Sequence, residues 1–369
     1  MKILKLISAI FLVAIITSCG KSGDKVDPET PIKPIIPADF KGVYSAGYEL
    51  DANGQYLAKV WKDGKGTPLT DGFKTTQAYS VYVSGTDVYV AGEVYNGTNF
   101  ISTIWKNGTV TNLTDALSYS EARAILVSGS DVYVAGIGHP SKNYVATIWK
   151  NGTSTVLSGG VYGSDARAMQ VVGSDVYAAG VVYVDSAGSD IYTSERRRQA
   201  TLWKNGVATT LSKGAYFADA NAVYVSGNNV YVGGVLYNPT NFGAGATAVI
   251  WKNGAPQILG TGLTDFTSSS INALYVSGTD VYGVGYNSNF QQRKLIATVW
   301  KNGVGAALTD GSSDAVAEAV FVAGKDVYVS GYTTSKGGLQ VATIWKNGVA
   351  TALADGTRRS EASALFVVQ

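Results

Sequence analysis

The chain has 369 residues, 46% of them hydrophobic and 15% charged, with 29 basic and 27 acidic side chains. One cysteine excludes an internal disulfide, one histidine excludes a multi-histidine metal site, and the near-balance of charge leaves no basic footprint for nucleic acid. Abundant Gly (44) and Tyr (23) beside only 8 Pro point to many short strands joined by tight turns.

Lys2 and Lys5 precede Leu6 to Ile16, an apolar run of 11 residues. That length suits the core of a signal peptide and is too short to cross a bilayer. Taking these two lysines from 29 basic residues leaves 27, matched by 27 acidic ones. The run ends in Ile16-Thr17-Ser18-Cys19, which resembles the lipobox of bacterial lipoproteins. The resemblance implies removal of residues 1–18, acylation of Cys19 and a lasting hold on a membrane of the bacterial cell envelope. Each buried methylene adds about 0.8 kcal/mol to such an anchor. By enteric-type sorting, Gly20 after the cysteine favours the outer membrane. Residues 19–38 read as a tether, with Pro28, Pro31, Pro34 and Pro37 every third residue favouring a stiff polyproline II strut.

From Asp39 to the C-terminus one unit recurs. All seven tryptophans (Trp61, Trp105, Trp149, Trp203, Trp251, Trp300, Trp345) are followed by Lys and then Asn-Gly or, once, Asp63-Gly64. They are spaced 44, 44, 54, 48, 49 and 45 residues apart, a period that means a repeat architecture. Each copy offers four β-like segments: an Ala-Val-Tyr-Val-Ser-Gly type (Ser80 to Gly85), an Asp-Val-Tyr-Val-Ala-Gly type (Asp87 to Gly92), the Trp segment, and a short Thr/Val/Leu run (Thr109 to Leu113). Gly-Thr and its variants suit a type II′ hairpin between the first two segments, and Asn-Gly suits type I′ between the last two.

The first copy begins at Gly42-Val43-Tyr44, a second-segment sequence, and the chain finishes on Ala364-Leu365-Phe366-Val367-Val368, a first-segment sequence. Three strands from one end and one from the other complete a blade. The prediction is an all-β fold: a seven-bladed β-propeller of four-stranded antiparallel blades, closed by a C-terminal strand completing the N-terminal blade. The pattern resembles kelch-type and other seven-bladed propellers, and more closely bacterial lipoproteins carrying "VYVAG…ATxWKNG" repeats. The resemblance concerns fold. Of the kelch Gly-Gly doublets only Gly233-Gly234 is present, and the sialidase Asp-box is absent, so no catalytic residue carries over.

In such a meander the short turns share one face and the long, varied loops share the other, which is the expected functional face. The residues just ahead of each first-segment Ala or Ser are Tyr79, Arg123, Arg167, Asn221, Asn272, Glu318 and Ser363. With the first strand innermost they ring the channel mouth and are the candidate ligand-binding residues. Arg123 and Arg167 would fork onto an anion, and Asn221, Asn272 and Tyr79 would suit sugar hydroxyls; alternatively these polar residues cap strand ends or pair with Glu121, Asp165, Asp219 and Glu361 nearby. The long loop over 181–199, His139 and the oxygen-rich stretch Asp310-Gly311-Ser312-Ser313-Asp314 are weaker candidates. No nucleotide, redox-cofactor or metal motif is visible. The recurring tryptophans read as wedges between blades, and the Lys ring on the short-turn face as largely cancelled by Asp87 and its counterparts.

Three functions suit this pattern. The first is a monomeric, membrane-anchored, non-catalytic binding or scaffold propeller recognising a glycan, peptide or protein. The second is a carbohydrate-active enzyme using channel-mouth carboxylates. The third is an assembly component acting through its rim.

Overall fold

The computed structural model describes residues 40–70, 75–115, 118–138, 144–157, 163–184, 197–212, 217–237, 245–260, 266–289 and 294–369. Cys19, the tether, His139 and most of the long loop after Val184 lie outside the described residues. Within them, 28 strands form seven four-stranded antiparallel sheets, and there is no helix.

One blade serves for all. In blade 2 the strands run Thr76–Ser84, Asp87–Tyr95, Phe100–Lys106 and Thr109–Asn112, ordered from the axis outwards. The inner strands of successive blades neighbour one another around a complete ring. Ser360–Val368 supplies the inner strand of blade 1 and pairs antiparallel with Gly42–Leu50, Val43 opposite Val367. The chain ends thus close the circle as the split repeat predicts.

The turns follow the chemistry of their residues. Asn107 and Gly108 sit at φ 50° and 80°, the double positive φ of a type I′ turn, and Asp63 takes the Asn role at φ 49° in blade 1. The Asn side chain then does a second job. Asn107 Oδ1 accepts the Val88 N–H at 2.9 Å, and its Nδ2 donates to Asp87 at 2.7 Å. Lys106 pairs with the same Asp87 at 2.8 Å and lies over the Tyr89 ring. The arrangement recurs with Asp131, Asp175, Asp280 and Asp326, so the expected cancellation of the Lys ring is a set of direct ion pairs.

Every tryptophan is at most 1% exposed. Each packs back onto the preceding blade: Trp61 against Ala342 and Leu353 of blade 7, and Trp345 against Val284 and Ala297 of blade 6. Hydroxyls fasten the blades as well. Thr76 Oγ1, at the start of the blade 2 inner strand, accepts the Ala58 N–H of blade 1 at 2.8 Å, and Ser120, Ser164, Ser269 and Ser360 repeat the contact.

The strands are longer than the repeat motif at their long-loop ends. Inner strands begin about one turn of pleat earlier, at Thr76 rather than Ser80. Likewise Val181–Val184 and Arg197–Gln199 belong to strands, so the long loop of blade 4 is shorter than the sequence reading placed it. These added positions differ from blade to blade, which is why the repeat did not show them.

Candidate functional site around the central cavity

The seven candidate residues are not at strand ends. Each is the extra residue of a β-bulge inside an inner strand. Pairing with the second strand skips Tyr79 between Ala78 and Ser80, Arg123 between Ala122 and Ala124, and Arg167 between Ala166 and Ala168. It likewise skips Asn221, Asn272, Glu318 and Ser363. A bulge residue is released from the ladder and its side chain is re-aimed. All seven line one central cavity of about 630 Å³.

A glycine on the second strand makes each bulge fit. A Cβ on Gly92 would lie 2.0 Å from the Gln77 carbonyl oxygen, and one on Gly180 would lie 1.9 Å from that of Asp165. Gly47, Gly136, Gly234, Gly285 and Gly331 meet the same obstruction in the other blades. The recurrent glycine of the "VYVAG" motif is therefore the backbone clearance for the bulge opposite it.

The cavity wall is electrostatically uneven. In blades 3 to 5, Arg123 contacts Glu121 at 2.6 Å and Asp165 at 3.2 Å. Arg167 contacts Asp165 at 3.0 Å and Asp219 at 3.3 Å, and donates to Asn221 Oδ1 at 2.8 Å. Arg198 adds a 2.9 Å contact to Asp219. Burial opposes the charge on both Arg123 and Arg167, but the carboxylates outweigh it and hold both guanidiniums above their ordinary pKa. These arginines meet carboxylates within the fold; the pairing with Glu121, Asp165 and Asp219 is the arrangement found.

Elsewhere the carboxyls face neutral donors. Asn272 Nδ2 donates to Glu318 at 3.1 Å. Glu361 accepts from Tyr48 Oη at 3.1 Å and from Ser363 Oγ at 3.3 Å. Glu93, only 3% exposed, accepts from Tyr79 Oη at 2.8 Å. Burial, then the nearby Glu361, pushes Glu318 up to about 8. Burial, then Glu121, pushes Glu93 up to about 7, and burial raises Glu361 and Glu121 also.

Sequence reasoning missed Tyr48, Glu93, Tyr286 and Tyr332. Each directly follows a bulge glycine, so that position after the "VYVAG" glycine was the available signal. Asp310 and Asp314 cap backbone: Asp310 accepts the Ser312 N–H at 2.9 Å and Asp314 the Leu295 N–H at 2.8 Å.

No family model matches the sequence, and no curated protein matches it. Among solved structures the chain is similar to a Pyrococcus horikoshii acylaminoacyl peptidase, at 12% identity and a TM-score of 0.51, over 87% of this chain and 52% of that one. It is also similar to a Mycobacterium tuberculosis puromycin-hydrolyzing peptidase, at 12% identity and a TM-score of 0.54, over 87% of this chain and 52% of that one. This chain therefore spans about half the length of those peptidases. What it shares with them is the β-propeller frame.

Proposed function

We propose that this protein is a non-catalytic binding propeller, held on a bacterial envelope membrane through acylated Cys19. It receives part of a glycan, peptide or protein in its central cavity from the long-loop face. Tyr79, Arg123, Arg167, Asn221, Asn272, Glu318 and Ser363 make the contact. One observation carries the reading: seven bulges turn seven side chains of five kinds into one cavity, on a frame that otherwise repeats itself. A cavity of about 630 Å³ lies within the range of small-ligand sites.

Glu121, Asp165 and Asp219, which a glycosidase would need as base or nucleophile, are engaged by arginines within the fold instead.

The test is a glycan and peptide array probed with the full chain in detergent, wild type against Ser363→Trp, which fills the cavity. Ligands bound by the wild type and lost in the variant support the reading; the same ligands retained at equal affinity overturn it. Incorporation of labelled fatty acid into the wild type but not into Cys19→Ser tests the anchor.

A further inference from the structure

The cavity has two chemically different sides. On the side of blades 3 to 5 every arginine that reaches the wall is matched by carboxylates. On the side of blades 7 and 1, Glu318 and Glu361 come from neighbouring inner strands, and among the described residues neither is ion-paired with a Lys or Arg. The cation that acts on Glu361 is Arg359. Its guanidinium lies 5.9 Å from the Tyr48 ring and donates to Gln340 at 2.7 Å, and its pull on Glu361 is the weakest of those acting there. Tyr332 and Tyr286, from the second strands of blades 7 and 6, also face Glu318 and carry no positive charge. Counting Glu93, the wall and its immediate backing hold, among the described residues, six carboxyls (Glu93, Glu121, Asp165, Asp219, Glu318, Glu361) against three guanidiniums (Arg123, Arg167, Arg198).

A second feature falls in the same sector. Three residues beyond the bulge, towards the short-turn face, five inner strands carry an aromatic: Tyr224, Tyr275, Phe321, Phe366 and Tyr82. Successive ring centroids are 5.0, 4.9, 5.3 and 4.8 Å apart, an unbroken arc through blades 5, 6, 7, 1 and 2. Leu126 and Gln170 occupy the same position in blades 3 and 4, on the arginine side. The middle of the arc therefore lies on the strands that carry Glu318 and Glu361. Tyr82, Tyr224 and Phe366 of the arc line the cavity.

Carboxyls without a counter-charge and aromatic rings on one cavity wall are the two elements that recognise an organic cation. An anion would meet arginines already occupied and surplus carboxyls. A neutral sugar would gain nothing from the surplus of acidic groups over guanidiniums. We propose that the ligand presents an ammonium or guanidinium group to Glu318 and Glu361 and lays its carbon frame along the aromatic arc. This rests on the reading that the cavity is a ligand site. Burial and the neighbouring Glu361 bias Glu318 towards its protonated form in the free protein, so a cation that ionises it releases a proton to solvent.

The test is calorimetry on the full chain in detergent at pH 7 with four probes: phenethylamine and agmatine as cations, 2-phenylethanol as the neutral counterpart of the first, and phenylacetate as the anionic one. Each titration is repeated in two buffers of different ionisation enthalpy, which counts protons exchanged. The expected result is that the cations bind at least about tenfold more tightly than the other two, with a proton released. Glu318→Gln is expected to weaken cation binding by a similar factor and to remove the proton release. Glu361→Gln provides a second variant should the first unfold. Equal affinity for 2-phenylethanol or phenylacetate overturns the proposal, as does cation binding without proton release and indifferent to both substitutions. Failure of every probe to bind also overturns it. A glycan or peptide hit that disappears in Ser363→Trp would then leave the cavity standing as a site for a different ligand class.

Discussion

Glu93 and Glu318 set the pH response of the fold. The unfolded chain loses these protons near the ordinary 4.5, whereas the folded protein holds them to about 7 and about 8. Between those limits the folded state binds more protons, so stability falls as pH rises from about 4.5 to about 8. Each pKa unit corresponds to about 1.4 kcal/mol before screening, and solvent in the cavity screens Glu318 more than the enclosed Glu93. Asp87 and its counterparts are shifted down by their Lys and Asn partners, but they are exposed and contribute little. Thermal melts should therefore show a lower midpoint at pH 8 than at pH 5, and Glu93→Gln should flatten that slope. The bulge glycines give a sharper expectation. Gly92→Ala sets a Cβ 2.0 Å from a carbonyl oxygen in a neighbouring strand, with no flexible side chain to give way. A loss of about 3 kcal/mol or more in denaturant unfolding is expected, against about 1 kcal/mol for a typical substitution.

At the scale of the blade, residues that every copy needs were readable and residues that differ were not. The Trp wedges, the Asn-Gly turns and the hairpin order all serve a role common to seven sheets, so periodicity exposes them. The bulge leaves no mark in the inner-strand text itself; its trace is the glycine opposite it on the second strand. Tyr79 and Arg123 were visible as places where copies diverge, but an unpaired residue inside a strand reads like a residue ahead of one. Arg123 and Arg167 were legible as a pair; that they meet carboxylates on adjacent strands depends on contacts 42 and 52 residues apart in the chain (Arg123 with Asp165, Arg167 with Asp219). The wedge itself can be measured. Trp203→Ala should cost about 3–5 kcal/mol, the range for an aromatic removed from a packed core. Asn151→Ala should cost about 1–2 kcal/mol, since it removes a residue at φ 50°, the acceptor for the Val132 N–H and the donor to Asp131.

For the whole molecule, closure is the controlling fact. Ser360–Val368 pairs with Gly42–Leu50 along eight residue positions, and its Ala362 joins Trp61 of the same blade in packing against Ala342 and Leu353 of blade 7. Removing residues 360–369 would bare the edge of Gly42–Leu50 and leave Trp61 without part of its bed. The truncated chain should lose its cooperative melt and bind a hydrophobic dye, whereas a cut in an outer strand such as Val349–Ala352 should leave the melt largely intact.

The aromatic arc and the arginine side together break the molecule's rotational sameness. Seen from its backbone the disc looks nearly identical after each seventh of a turn, which would offer an entering molecule seven equivalent poses. The side chains break that equivalence, because Glu318 and Glu361 share their strands with the middle of the aromatic arc while the arginines lie in blades 3 and 4. A guest bound as proposed would be oriented as well as held, and whatever it carried outside the cavity would leave the disc at one fixed compass bearing.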